Sequence, residues 1–239
     1  MKRYYEYAQK TICFDFPEEL NVVSLKQHLP QIKLIDEPQN VNILISFHPS
    51  SNSNLVFDLY KLDIYDLWDN SWLIDLPHLI YSYLKYVLFH QHYYSIHSCV
   101  IDETLFIGHS GSGKTSLCIH GLNNNKKISS LDRSVVYFDN NKLNIIAGTD
   151  VLSVRKEQKQ PKLPLIFENN ERIIYNYPLN VSNKLSKIVL FQISDNEKLN
   201  KIEGLSIVHQ LFPFFIDNIK TDCFVPYILN LLKKIYLKN

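Results

Sequence analysis

Gly108-His109-Ser110-Gly111-Ser112-Gly113-Lys114-Thr115 meets the pattern G-x-x-x-x-G-K-[ST] at every fixed position. Glycines let a backbone curl until successive N–H groups point inward as an anion nest. A helix starting at Lys114 would aim its positive end at the same place. The Lys114 ammonium would then reach the β- and γ-phosphates of a nucleoside triphosphate, with Ser110, Ser112 and Ser116 beside them. The Thr115 hydroxyl offers Mg²⁺ a hard oxygen. The motif needs a strand before it and a helix after it. Leu105–Ile107 is an apolar run leading in, and 115–120 is compatible with a helix leading out. A glycine-rich turn that binds nothing would need neither the Lys-Thr pair nor these flanks. The pattern marks a phosphate site and leaves the reaction open, because ATPases, GTPases, kinases and transport motors share it.

Upstream, Tyr94–Ile101 reads as a strand with a turn at Glu103. Before it, Leu79, Ile80, Tyr83, Leu84, Val87 and Leu88 recur at helical spacing. Pro77 stands where a first helical residue should, with Asp75 just before it, so the spacing predicts a core-facing helix over 77–90. Residues 1–75 read as mostly strand: 3–7, 11–16, 32–35, 41–47, 55–60 and 62–65. A short helix is expected at 24–29, capped by Ser24. Downstream, strands are expected at 127–131, 134–138, 142–146 and 187–192, with a tight turn at Asp139-Asn140-Asn141. Residues 148–183 read as irregular and polar, and 204–237 as two helical stretches broken near Pro213 and Pro226. The division expected is a strand-rich region over 1–76 and a nucleotide-binding core with C-terminal helices over 77–239.

Composition narrows the partners. Of 239 residues, 46% are hydrophobic, enough for a sizeable core, and the formal net charge is +1. That balance gives no reason to expect nucleic acid as a partner. Cys13, Cys99, Cys118 and Cys223 are scattered without a C-x-x-C pair, which argues against a zinc site or a disulfide framework. MKRYYEYAQK has no apolar stretch behind it, and the longest apolar run, 77–89, contains Lys85. No membrane association and a cytoplasmic location are the expectations.

Absences exclude common owners of the loop. There is no LSGGQ and no NKxD, and the apolar run 187–192 ends in Gln192 and not in a carboxylate. What flanks the loop is Ser95-Ile96-His97-Ser98-Cys99-Val100 before it and Ser129-Ser130-Leu131-Asp132-Arg133-Ser134 after it. This arrangement resembles the HPr kinase/phosphorylase superfamily, in which a histidine-bearing strand precedes the loop and an Asp-Asp turn follows its helix. The resemblance covers roughly 77–195. It implies an α/β fold with a P-loop kinase core of the HPr kinase/PEP carboxykinase-like type. His97 matches the family histidine, Asp132 the aspartate that acts as general base, and Arg133 the residue after it. Leu131 departs from the first aspartate of the pair.

The activity implied is transfer of the γ-phosphoryl group of ATP, with Lys114, Asp132 and His97 as catalytic residues and Thr115 and Asp132 at Mg²⁺. The acceptor implied is a hydroxyl, most plausibly a serine of a peptide or protein, as in the smaller kinase-like branch of the superfamily. A small-molecule kinase, a non-catalytic nucleotide-binding module and a vestigial loop stand as alternatives. The family often forms homo-oligomers. Arg155 is a further candidate for contacting phosphate.

Overall fold

The computed structural model describes residues 1–190, except 19, 21–24, 27, 70–71, 141, 158–160, 169 and 180–183. The expected C-terminal helices, the last residues of the 187–192 strand and the Ser24 cap lie outside the described residues. Leu25, Lys26 and His28 are helical.

The architecture is α/β with mixed sheets, and strands predominate among the described residues. The first sheet holds β1 (Lys2–Tyr7), β2 (Lys10–Asp15), β3 (Lys33–Ile35), β4 (Ile43–Pro49), β5 (Asn54–Phe57) and β6 (Lys61–Asp66). Their order is β3-β1-β2-β4-β6-β5, with β4 parallel to both β2 and β6. Ala8 and Gln9 turn β1 into β2 with φ of 48° and 62°, the left-handed backbone a two-residue hairpin requires.

Helix α1 (Trp72–His90) starts five residues before the position that Pro77 suggested. A proline has no N–H to give, which is harmless in a first turn but removes a hydrogen bond at the sixth residue. Packing outweighs that loss. Leu76, Ile80, Tyr83, Leu84, Val87 and Leu88 are buried in one cluster with Tyr5, Phe14, Ile45 and Ile64 of the first sheet and Val135 and Ala147 of the second. The helix is therefore filled in from both sides, and the core of the first sheet continues through it. No described helix is long and apolar enough to cross a membrane.

The second sheet carries the glycine loop. It comprises β7 (Tyr93–Ile101), β8 (Thr104–Ile107), β9 (Ile128–Ser130), β10 (Arg133–Asp139), β11 (Lys142–Gly148) and β15 (Lys187–Leu190), ordered β11-β10-β7-β8-β15 with β9 also on β7. Only β8 and β15 run parallel among these pairs. Helix α2 (Lys114–Asn123) follows the loop.

The described part of 148–183 is more regular than its polar sequence suggests. It contains β12 (Val151–Arg155), β13 (Leu165–Glu168) and β14 (Arg172–Asn176), an antiparallel sheet in the order β12-β14-β13. Leu152, Val154 and Tyr175 of this sheet pack with Cys118 and Ile119 of α2 and with Leu131. Burying that face against α2 supplies the driving force that the polar composition concealed.

Candidate functional site

Strand β8 runs into the loop and α2 leaves it, as the motif requires. Gly111 and Gly113 have φ of 79° and 94°, a backbone that costs an L side chain about 1–2 kcal/mol. A Cβ placed on Gly111 would meet nothing within 4 Å, so this glycine borders open space. At the start of α2, Gly113 supplies no side-chain cap and the first turn contains no acidic residue. The leading N–H groups of the helix are thus not claimed by a side-chain cap, and its positive end is uncompensated by a carboxylate. Ser112 is buried, whereas Ser110 and Ser116 are exposed and Thr115 is half-buried.

Lys114 is 5% exposed, an unusual burial for an ammonium group. It donates to the carbonyls of Gly108 and His109, the latter at 2.8 Å, and approaches Ser112 Oγ at 3.4 Å. Burial lowers its pKa, and the charge of Asp132 opposes that shift. The loop lysine and the aspartate beyond the helix therefore feel one another.

Asp132 owes its place to an interruption in strand pairing. On one side of β7 the chain first pairs as β9, at Val100 and Ile101, and then as β10, from Tyr93 to His97. Leu131 and Asp132 lie between these two stretches. The Asp132 carbonyl accepts from Ser98 N at 2.9 Å, and Leu131 N donates to the Thr149 carbonyl at 3.0 Å. Leu131 points inward at 1% exposure, among Cys99, Cys118 and Ile119. Asp132 points the other way, with 41% of its side chain exposed.

His97 Nε2 lies 3.0 Å from Asp132 Oδ1, and Arg133 Nε lies 3.6 Å from Oδ2. Burial is the largest single influence and would push the Asp132 carboxyl up, but the His97 hydrogen bond and the charges of His97, Arg133 and Lys114 together outweigh it, so its pKa falls below the usual carboxylate value. The carboxylate is ionised at neutral pH and acts as the acceptor from His97.

Arg133 lies over the ring of Tyr81, 4.4 Å from the centroid, and its Nη1 is 3.3 Å from His28 Nδ1. A cation on an aromatic face contributes about 0.5–2 kcal/mol, the more as it is desolvated. Backbone geometry at this residue is fixed by buried hydroxyls. Arg133 N donates to Thr149 Oγ1 at 2.9 Å, and the Arg133 carbonyl accepts from Ser130 Oγ at 2.6 Å. Beneath them Ser98 Oγ donates to Ser134 Oγ at 2.9 Å.

Residues far apart in sequence are thus linked: His97 meets Asp132 at 3.0 Å, and the charge of Asp132 is felt at Lys114, which stands next to Thr115 at the head of α2. Arg155 sits elsewhere. It is exposed at the end of β12, opposite Arg172. Sequence reasoning missed His28, Tyr81, Thr149 and Ser130. Nothing local marks them, since each matters only through the turn it touches. Among the described residues no cluster of three His, Cys, Asp or Glu side chains is placed to hold a metal unaided. The chain matches no protein-family model and no curated protein.

Proposed function

We propose that this protein is an ATP-dependent phosphotransferase of the HPr kinase/phosphorylase-like type, acting on a hydroxyl of a peptide or protein, most plausibly a serine. The observation that carries the reading is the juxtaposition of a complete glycine loop with an ionised aspartate bonded to a histidine. A simple anion site needs the loop, but it does not need Asp132 and His97.

The residues present suit the groups this chemistry requires. The loop amides from Gly108 to Lys114, the open side of Gly111 and the uncapped start of α2 suit a triphosphate. Thr115 and Asp132 supply two hard oxygens, a donor set that suits Mg²⁺ completed by phosphate oxygens and water. Bound Mg·ATP would supply the transferable phosphoryl group and neutralise its charge.

The chain's own residues do the rest. Lys114 neutralises phosphate charge from inside the loop. Asp132 takes the proton from the acceptor hydroxyl as the oxygen attacks phosphorus. A well-placed base of this kind contributes roughly 10²–10⁴-fold. His97 holds the Asp132 carboxylate by its Oδ1 and leaves Oδ2 for the proton. Arg133 adds positive charge beside the reacting oxygens.

Calorimetric titration with Mg·ATP tests the reading, using wild type, Lys114→Ala and Asp132→Asn. Binding by wild type and Asp132→Asn, with loss in Lys114→Ala, supports it, and transfer to a serine-containing peptide must then fail in Asp132→Asn. Wild-type protein that takes up no ATP or GTP at millimolar concentration would overturn it.

A further inference from the structure

We infer that His28, from the N-terminal region, is a positioning residue of the transfer site, holding the Arg133 guanidinium beside the Asp132 carboxylate; this inference rests on the proposed phosphotransferase function. The helical residues around His28 touch β10 at Arg133 and the link between β11 and β12 at Asp150. Besides the 3.3 Å contact between His28 Nδ1 and Arg133 Nη1, Lys26 Nζ reaches Asp150 Oδ2 at 3.5 Å. Asp150 follows Thr149, the residue whose hydroxyl fixes the Arg133 backbone. Both contacts therefore land on two segments that Arg133 and Thr149 bond together, more than 100 positions away in the chain.

The chemistry of the contact is directional. A guanidinium can only donate, so the imidazole nitrogen it faces must carry a lone pair. Burial first, with Arg133 and His78 acting in the same direction, lowers the His28 pKa to about 4 against the opposing pull of Asp132. His28 is thus neutral wherever Asp132 is ionised at ordinary pH, and Nδ1 is free to accept. With Tyr81 under its plane, His28 at Nη1 and Asp132 near Nε, the guanidinium is constrained on three sides. Arginine geometry matters here because its planar fork loses its use when it rotates out of register.

The test compares wild type, His28→Leu, which keeps bulk but removes the acceptor, and His28→Gln, which restores a carbonyl acceptor. Nucleotide binding by calorimetry is measured alongside turnover of Mg·ATP with a serine-peptide library or, in its absence, with water. The expected result is unchanged ATP affinity in both variants. Turnover should fall on the order of 100-fold in His28→Leu, the loss that follows when a reacting group shifts by about 1 Å, and recover largely in His28→Gln. Arg133→Lys should match His28→Leu, and the double variant should lose little more. Exchange of the Arg133 side-chain N–H protons, followed by NMR, should quicken in His28→Leu. Wild-type turnover in a folded His28→Leu, or unchanged Arg133 exchange, overturns the inference. A parallel loss of ATP affinity also overturns it, since that would mark a purely structural role. Wild type that binds no Mg·ATP overturns the proposed function itself, and the inference with it.

Discussion

One hydroxyl joins Thr149 and Arg133 twice: Arg133 N donates to Thr149 Oγ1 at 2.9 Å, and Oγ1 donates to the Arg133 carbonyl at 3.0 Å. Thr149 is 1% exposed; without its hydroxyl the Arg133 carbonyl keeps Ser130 Oγ and Thr149 N as donors, but Arg133 N loses this acceptor. Thr149→Val should cost about 1–3 kcal/mol, the penalty for leaving a polar group unpaired, while Thr149→Ser keeps most of the stability. Urea denaturation of the three proteins checks this. Equal midpoints for Val and wild type would show that the turn holds without the hydroxyl.

Two glycines should respond to alanine in opposite ways. A Cβ at Gly148 would lie 1.9 Å from the Ser129 carbonyl oxygen and 2.8 Å from Ser130 Cβ. Backbone must move to admit it, so Gly148→Ala should destabilise by about 3 kcal/mol or prevent folding. Gly111 has open space but a φ of 79°, so Gly111→Ala should cost only about 1 kcal/mol through strain. Its effect should show instead as weaker Mg·ATP binding, because the methyl group borders the space proposed for phosphate. Thermal melts and calorimetry on both variants separate the two outcomes.

Acid should weaken the fold through His28. Its folded pKa of about 4 lies below the unfolded value near 6.5, so the unfolded chain binds more protons between those limits. Stability therefore falls as pH drops from about 6.5 to about 4 and this contribution flattens below. Because the ring is partly exposed, the effect should be about 1 kcal/mol after solvent screening. Wild type and His28→Gln, compared by denaturation across that window, should diverge in slope. Parallel curves would mean that the imidazole titrates as it does in the unfolded chain.

Two outer strands should govern solubility. Among the described residues β5 pairs only with β6 and β13 only with β14, and Leu55, Val56, Phe57, Leu165 and Phe167 are all more than 40% exposed. Unpaired apolar edges template association between chains. Val56→Lys and Phe167→Lys should reduce aggregation on heating while leaving the melting temperature within about 2 °C, as exposed substitutions usually do. Light scattering during a thermal ramp reads both. A drop in melting temperature would place these side chains in the folded core instead.

The sequence made some elements plain and hid others for identifiable reasons. The Asp139-Asn140-Asn141 turn was readable because asparagine tolerates the left-handed backbone, and Asn140 has a φ of 45°. Ala8-Gln9 adopts the same backbone with residues that carry no such signal. The start of α1 was misread because Pro77 is a strong first-turn marker, and only packing between two sheets explains its place inside the helix. β13 shows no alternation because all four of its residues are exposed. At the site, the glycine loop is legible as a pattern, and Asp132 and His97, singled out from the residues flanking it, lie 3.0 Å apart. The contact of Arg133 with His28 was not legible, since it spans 105 positions and depends on tertiary packing.

The pairing of β15 with β8 bears on how the chain matures during synthesis. Lys187 lies opposite Thr104 and Leu190 opposite Ile107, so the strand feeding the glycine loop gains its outer neighbour only after some 80 further residues have been made. The first sheet draws on residues 2–66 alone and can close much earlier. Closing the longer loop costs entropy before any contact repays it, which makes that step slow relative to local hairpins. A nascent chain halted before Lys187 would carry the loop residues with β8 still an open edge. Under the proposed function, competence to hold a nucleotide is then a late event in biogenesis, acquired as the last described strand docks.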